Sequence, residues 1–271
     1  MRTARTAATL IAVVALAAGC SSSGGKTSED KADGSTGGKS AGTPRLKIAM
    51  VTHSGEGDTF WDIVQSGAKQ AAAKDNVQFL YSNDKEAKGQ AELVQSAIDK
   101  KVDGIVVTLA KPEAMKAVLA KAKDAGIPVV TINSGGEFSQ AFGALSHIGQ
   151  DESVAGEAVG SELNKRGRKK ALCVIHEQGN VSLEQRCAGV KKTFKGTVEN
   201  LNVEGTDAPS SQSSIEAKLQ AAKDIDAVVA LGAPIAAVAV KAKQDAGSGA
   251  EIDTFDLNAA VVKSLKAKDV G

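Results

Sequence analysis

Hydrophobic positions fall into two alternating rhythms from residue 46 onward. Short apolar, β-branched runs read as strands: "LKIAMV" (46–51), "VQFLYS" (77–82), "VDGIVVTL" (102–109) and "IPVVTIN" (127–133). Between them lie stretches with apolar residues three and four apart, "FWDIVQSGAKQAAAKD", "QAELVQSAIDK" and a segment that Pro112 opens and Gly126 closes. That spacing gathers the apolar side chains on one helix face, and proline suits a first helical turn. Repeated βα alternation implies a parallel sheet covered by helices on both faces.

The rhythm breaks near "LSHIGQDES" (145–153), where a short strand runs directly into the helix "ESVAGEAVGSELNKRG". Alternation then starts afresh. Strands are expected at "KALCVI" (170–175), "VENLNVEGT" (198–206), "IDAVVAL" (225–231) and "AEIDTFD" (250–256). Helices are expected at "LEQRCAGVKKTF", "SSIEAKLQAAKD", Pro234 to Ala246 and "NAAVVKSLKAKD". The simplest account is two similar α/β halves, residues 45–149 and 150–271, neither long enough for a barrel of eight strands.

The N-terminus follows neither rhythm. Arg2 and Arg5 precede an apolar run from Ala7 to Ala18, too short for a comfortable membrane span and suited to a secretory signal. Its ending, "LAAGC", resembles a bacterial lipobox, which implies cleavage before Cys20 and a lipid on that thiol. Leu16 stands one place earlier than the usual aliphatic residue, and an ordinary secreted protein is the alternative. Residues 21–44 are Ser, Gly and Lys with no apolar side chain larger than Ala before Pro44, the composition of a flexible tether. Residues 1–20 are thus expected to be a lipoprotein signal peptide. The expected location is the outer face of the cytoplasmic membrane or the periplasm, with the membrane touched only through the lipid.

Charge narrows the function classes. The 33 basic and 32 acidic side chains balance, so the basic excess of a nucleic-acid surface is missing. With Cys20 set aside, Cys173 and Cys187 form an even pair in an oxidising compartment. They are expected to be joined, with two buried thiols as the alternative.

Catalytic and metal patterns do not assemble. "HEQGN" (176–180) departs from the zinc-protease pattern at Asn180, and Gly179 would spoil the helix that aligns its ligands. His53, His147 and His176 fall in separate segments without ligand spacing, so no metal, no cofactor and no enzyme activity are expected. What recurs instead is polar and aromatic residues at the C-terminal ends of strands, where ligands bind in open α/β sheets. The first loop offers Asp58, Phe60 and Trp61, the fourth strand ends in Asn133, the first strand of the second half ends in "HEQGN", the next helix carries Arg186, and the last strand ends in Asp256. Asp, Asn and Arg can pair with vicinal hydroxyls, while a ring can stack on the C–H face of a sugar. Each has a plainer reading. Asp58 or Asp256 could cap a helix, one of the adjacent Phe60 and Trp61 belongs in the core, and Arg186 could be a surface charge.

These segments, in this order, resemble the periplasmic sugar-binding proteins of ABC transporters, the ribose-binding-like group with the type I two-lobe fold. The resemblance rests on "DTFW", "VDGIVVTLAKPEAM", "AGIPVVTINS", "SHIGQDESVAGEAVG", "LEQRCAGV" and "IDTFDL", and runs from Leu46 to Gly271. It implies two Rossmann-like lobes with parallel sheets, closing by a hinge on a monosaccharide or related polyol. It also implies ligand roles for Asp58, Phe60, Trp61, Asn133, Arg186 and Asp256, and delivery by a monomer to an ABC permease. Asn133 stands where the family usually has Asp, and Gly232 where many relatives have Asn. The long "THSGEGDTFW" loop makes His53 a possible lining residue, as are Asn180 and Gly232. The family continues past its last helix with a return strand, so a truncated C-terminal end is expected at Gly271, leaving a sheet edge unpaired. A sugar or autoinducer sensor on the same fold is the alternative. A sugar-responsive repressor is disfavoured, because a signal sequence occupies the place of its helix-turn-helix.

Overall fold

The computed structural model describes residue 42, residues 44–55 and residues 57–271. The expectations for the signal segment, for Cys20 and for the tether fall outside these residues, apart from Gly42 and Pro44 at the tether's end.

The first sheet has the order β2-β1-β3-β4-β5 and is parallel throughout. Its strands are β1 (Lys47–Thr52), β2 (Gln78–Asn83), β3 (Gly104–Val107), β4 (Val129–Ile132) and β5 (Ser146–Ile148). The register sets Ile48 of β1 opposite Phe79 of β2 on one side and Gly104 of β3 on the other. Helices α1 (Thr59–Lys74), α2 (Ala87–Asp99) and α3 (Pro112–Asp124) connect them, and Pro112 opens α3 as its fixed φ allows. Val51, Val94, Val107, Leu109, Met115 and Leu119 are fully enclosed in this half.

The second sheet, order β7-β6-β8-β9, repeats the arrangement with β6 (Lys170–Ile175), β7 (Thr197–Asn202), β8 (Ala227–Ala230) and β9 (Glu251–Thr254). Strand β8, "AVVA", is buried at every position, as a strand covered by helices on both faces must be. Helices α5 (Glu152–Lys165), α6 (Val181–Thr193), α7 (Ala208–Ala221), α8 (Ala233–Asp245) and α9 (Ala259–Ala267) complete this half.

Two details depart from the sequence pattern. A one-turn helix, α4 (Gly136–Ser139), sits between β4 and β5, too short for its periodicity to be visible. Strand β7 ends at Asn202, short of the 206 expected, because Gly205 turns back to donate its N–H to the His176 carbonyl at 2.9 Å.

Helices α5 and α6 pack backbone to backbone. A Cβ at Gly156 would lie 2.1 Å from the Arg186 carbonyl oxygen, and one at Gly189 would lie 2.3 Å from that of Ser153. Cys173 on β6 is bonded to Cys187 on α6, with 5.9 Å between their Cα atoms. The disulfide ties the helix that carries Arg186 to an inner strand of its sheet.

The two halves also meet directly. The Val181 N–H donates to the Ala110 carbonyl at 3.0 Å, and the Gly135 N–H to Ser182 Oγ at 3.3 Å. Among the described residues, no helix is long and apolar enough to cross a membrane.

Candidate functional site

Because all strands of a sheet run the same way, all their C-terminal ends share one edge. The loops leaving β1, β4, β6, β7, β8 and β9 line one cavity of about 390 Å³, within the usual range for small-molecule sites. All six residues expected at the site line it, as do His53, Asn180 and Gly232.

Asp58 is the N-cap of α1, accepting the Phe60 N–H at 3.0 Å, and the residue also lines the cavity. Burial raises its pKa, opposed by the N–H groups of Phe60 and Trp61. Phe60 and Trp61 meet edge to face at 5.3 Å, and Trp61 packs in the same manner on His53 at 5.2 Å. Trp61 is the enclosed member of the pair and Phe60 is half-exposed, yet both rings reach the cavity.

Asn133 and Asp256 follow the ends of β4 and β9, the corresponding strands of the two sheets. Both adopt the left-handed region, with φ of 62° and 64°. Asn and Asp tolerate that region better than most residues, and it turns each chain sharply at the cavity rim. Ser134 Oγ donates to Asn133 Oδ1 at 2.5 Å. Asp256 does not cap α9. Asn258 does so, accepting the Val261 N–H at 2.9 Å. Burial raises the pKa of Asp256, and Arg186 opposes this.

Arg186 is not a surface charge. It is 6% exposed, and its guanidinium grips the buried Glu152 by two bonds, Nε to Oε2 and Nη2 to Oε1, the second at 3.0 Å. Its Nη1 donates to the Leu231 carbonyl at 2.8 Å, and the Phe255 ring lies 4.7 Å beneath. Three of five N–H groups are thus engaged within the protein, leaving two for another acceptor.

His53 is locked by its neighbours. Thr108 Oγ1 accepts from the His53 N–H at 3.0 Å and from Gln90 Nε2 at 2.9 Å. Both lone pairs are then used, so the Thr108 hydroxyl gives its proton to His53 Nδ1, 2.8 Å away. On that assignment Nε2 carries the imidazole proton; it faces Glu177 Oε2 at 3.5 Å and lies 3.3 Å from Asn180 Nδ2. Asn180 Nδ2 donates to the same oxygen at 2.8 Å, its amide oriented by accepting the Ser182 N–H at 3.1 Å. Burial holds the His53 pKa down at about 3, with Lys111 adding to the effect. Lys111 also pairs with Glu177 Oε1 at 3.5 Å. Burial raises the pKa of Glu177, while Asn180 and Lys111 oppose it.

Three residues that build the site carry no individual role in the sequence pattern. Glu152 looks like an ordinary first-turn acid, and its partner is 34 residues away. Glu177 and His176 belong to "HEQGN", where the zinc comparison drew attention to spacing. The available signal was positional, since His176 follows the first strand of its sheet as His53 does in the other.

The model of the periplasmic binding protein domain family matches residues 48–271. The chain belongs to that family. No curated protein matches it. Among solved structures, a carbohydrate transporter from Acidothermus cellulolyticus in complex with myo-inositol is 49% identical. It has a TM-score of 0.83, and the match covers 84% of this chain and 79% of that one. A periplasmic sugar-binding protein of an ABC sugar transporter from Legionella pneumophila is 23% identical. Its TM-score is 0.76 and the match covers 84% of this chain and 87% of that one. An ABC transporter solute-binding protein from Burkholderia graminis, in complex with D-arabinose, is 22% identical. Its TM-score is 0.75, with 83% and 81% of the two chains covered. The two more distant likenesses establish the fold of the family, a pair of parallel α/β sheets.

Proposed function

We propose that this chain is the extracytoplasmic solute-binding protein of an ABC importer and that it binds a neutral cyclic polyol of the myo-inositol or monosaccharide class. The observation that carries this reading is convergence. Asp58, Phe60 and Trp61 and Asn133 from the first half line one small cavity with Arg186 and Asp256 from the second. Carboxyl, carboxamide and guanidinium groups suit vicinal hydroxyls, and the half-exposed ring of Phe60 suits a C–H face. The 49% identical relative with bound myo-inositol supports the choice of a polyol.

The balance of charge favours a neutral ligand. Asp58, Glu177, Glu204 and Asp256 line the cavity against Lys85 and Arg186, and Arg186 is already matched by Glu152. An added anion would meet carboxylates.

Residues 45–149 and 150–271 act as two lobes that close on the ligand and exclude water. The closed form, a monomer, presents both lobes to a permease, and a lipid on Cys20 followed by the 21–44 tether holds it at the membrane. No bond is made or broken in this function.

The test is thermal unfolding of the whole chain with myo-inositol, D-ribose, D-arabinose and other neutral sugars, followed by calorimetric titration of those that stabilise. A polyol at a hundred times its Kd should add about 2.7 kcal/mol to stability. Stabilisation by amino acids or peptides, with none by any polyol, would overturn the reading.

A further inference from the structure

Two of the chain's 3 histidines occupy equivalent places in the two sheets. His53 follows β1 and His176 follows β6, each strand lying between the second and third strands of its own sheet. Both rings line the cavity and both are held neutral, with the His176 pKa lowered by burial to about 4. Their fates then diverge. Both ring nitrogens of His53 face groups of the protein, Thr108 and Glu177. Neither ring nitrogen of His176 makes a hydrogen bond to any described residue, and its Nδ1 is buried without a partner.

The setting of His176 is built to admit the ring. Its neighbours on either side of β6 are the loops after β7 and β8, and each offers a glycine. A Cβ at Gly205 would lie 3.1 Å from the His176 Cβ, and one at Gly232 would lie 3.4 Å from Cε1. A side chain at Gly205 would crowd His176, whereas one at Gly232 would lie in ordinary contact with its ring. Nδ1 is enclosed, so Nε2 is the unpaired nitrogen that a hydroxyl in the cavity can reach.

We propose that His176 is a specificity-determining residue of the second half, its neutral imidazole hydrogen-bonding a ligand hydroxyl through a ring nitrogen that the protein leaves unpaired. This rests on the polyol reading of the cavity. A neutral imidazole both donates and accepts, so it suits a hydroxyl better than an anion or a bare C–H face. The pairing with His53 is then a division of labour, one ring holding the two halves together and the other left for the ligand.

The test is calorimetric titration of the full chain and its His176→Phe, His176→Asn and His176→Gln variants with myo-inositol, D-ribose and D-arabinose. Asn places a polar atom near the Nδ1 position, and Gln near Nε2. Circular dichroism melts establish that each variant is folded. The expected result is a loss of about tenfold or more in affinity for the bound polyol in His176→Phe, with most of it restored by Asn or by Gln. Binding within about twofold of wild type in folded His176→Phe overturns the inference and leaves the polyol reading standing. So does an equal loss in all three folded variants, which would assign His176 to shape alone. A wild-type chain that binds none of the three probes, nor any other neutral polyol in the thermal screen, sinks the polyol reading, and the inference with it. Should His176→Phe fail to fold, the ring ¹⁵N resonances of wild-type His176 decide. A shift on saturation with the bound polyol supports the hydrogen bond, and unchanged resonances overturn it.

Discussion

Glu152 and Arg186 form the buried charge pair on which the second half of the site depends. Both are nearly enclosed, at 4% and 6% exposure, so neither charge has water to fall back on. Removing one partner strands the other, which typically costs about 3–5 kcal/mol. Glu152→Gln keeps the shape and one acceptor but leaves the guanidinium uncompensated. It should lower unfolding stability by an amount in that range, measured by urea titration, and a change under about 0.5 kcal/mol would show that the pair is not coupled. The aromatic pair makes a second expectation at this scale. Phe60 is the half-exposed ring, whereas Trp61 is wedged against His53. Phe60→Ala should therefore weaken polyol binding with little change in melting temperature. Trp61→Ala should lower both, because it also removes the packing that fixes His53. Equal melting temperatures for the two variants would contradict that division.

At the scale of elements, α6 is positioned by three devices: the disulfide to β6, the glycine contact with α5 and the cap by Asn180. The disulfide closes a loop with a sequence separation of 14, for which chain entropy suggests about 3 kcal/mol of stabilisation. The Cys173→Ala, Cys187→Ala double variant should lose stability of that order and also bind polyol more weakly, since Arg186 adjoins Cys187. Unchanged affinity in the folded double variant would mean that the contact with α5 and the Asn180 cap suffice to hold α6. Much of this scale was legible in the sequence. The βα alternation, the restart after residue 149, Pro112 and the paired cysteines all report local chemistry or strict periodicity. The close packing of α5 on α6 was not legible, because Gly156 and Gly189 serve a contact between segments that no local pattern links. The same holds for the site. Residues at strand ends could be found from position alone, but Glu152 could not, because its role exists only opposite Arg186.

Across the whole molecule, neutral histidines and buried carboxylates give stability a pH dependence whose sign can be worked out. His53 and His176 have folded pKa values of about 3 and about 4, both below the ordinary 6.5. Below pH 6.5 the unfolded chain therefore takes up protons that the folded chain refuses, and stability falls as pH falls through this window toward the folded values. His147, also lowered by burial, acts in the same direction. Asp58, Glu177 and Asp256 act in the opposite direction. Burial raises their folded values, so their contribution is fully present below the unfolded values of 3.8 and 4.5 and is lost as pH rises through the folded ones. The histidine window opens at 6.5 and reaches lower by a large margin, so histidines prevail between pH 7 and 5. Over the roughly 1.5 pH units from 6.5 to 5, each of the two strongly shifted rings should withdraw about 2 kcal/mol. The ligand-free protein should accordingly melt several degrees lower at pH 5 than at pH 7. His53→Gln removes one titrating ring, and with it the group that faces Glu177 and accepts from Thr108. Its melting temperature should start lower at pH 7 and fall by about half as much on acidification. A flat profile for wild type between pH 7 and 5, or an undiminished slope in His53→Gln, would show that burial of these rings does not set the pH dependence of stability.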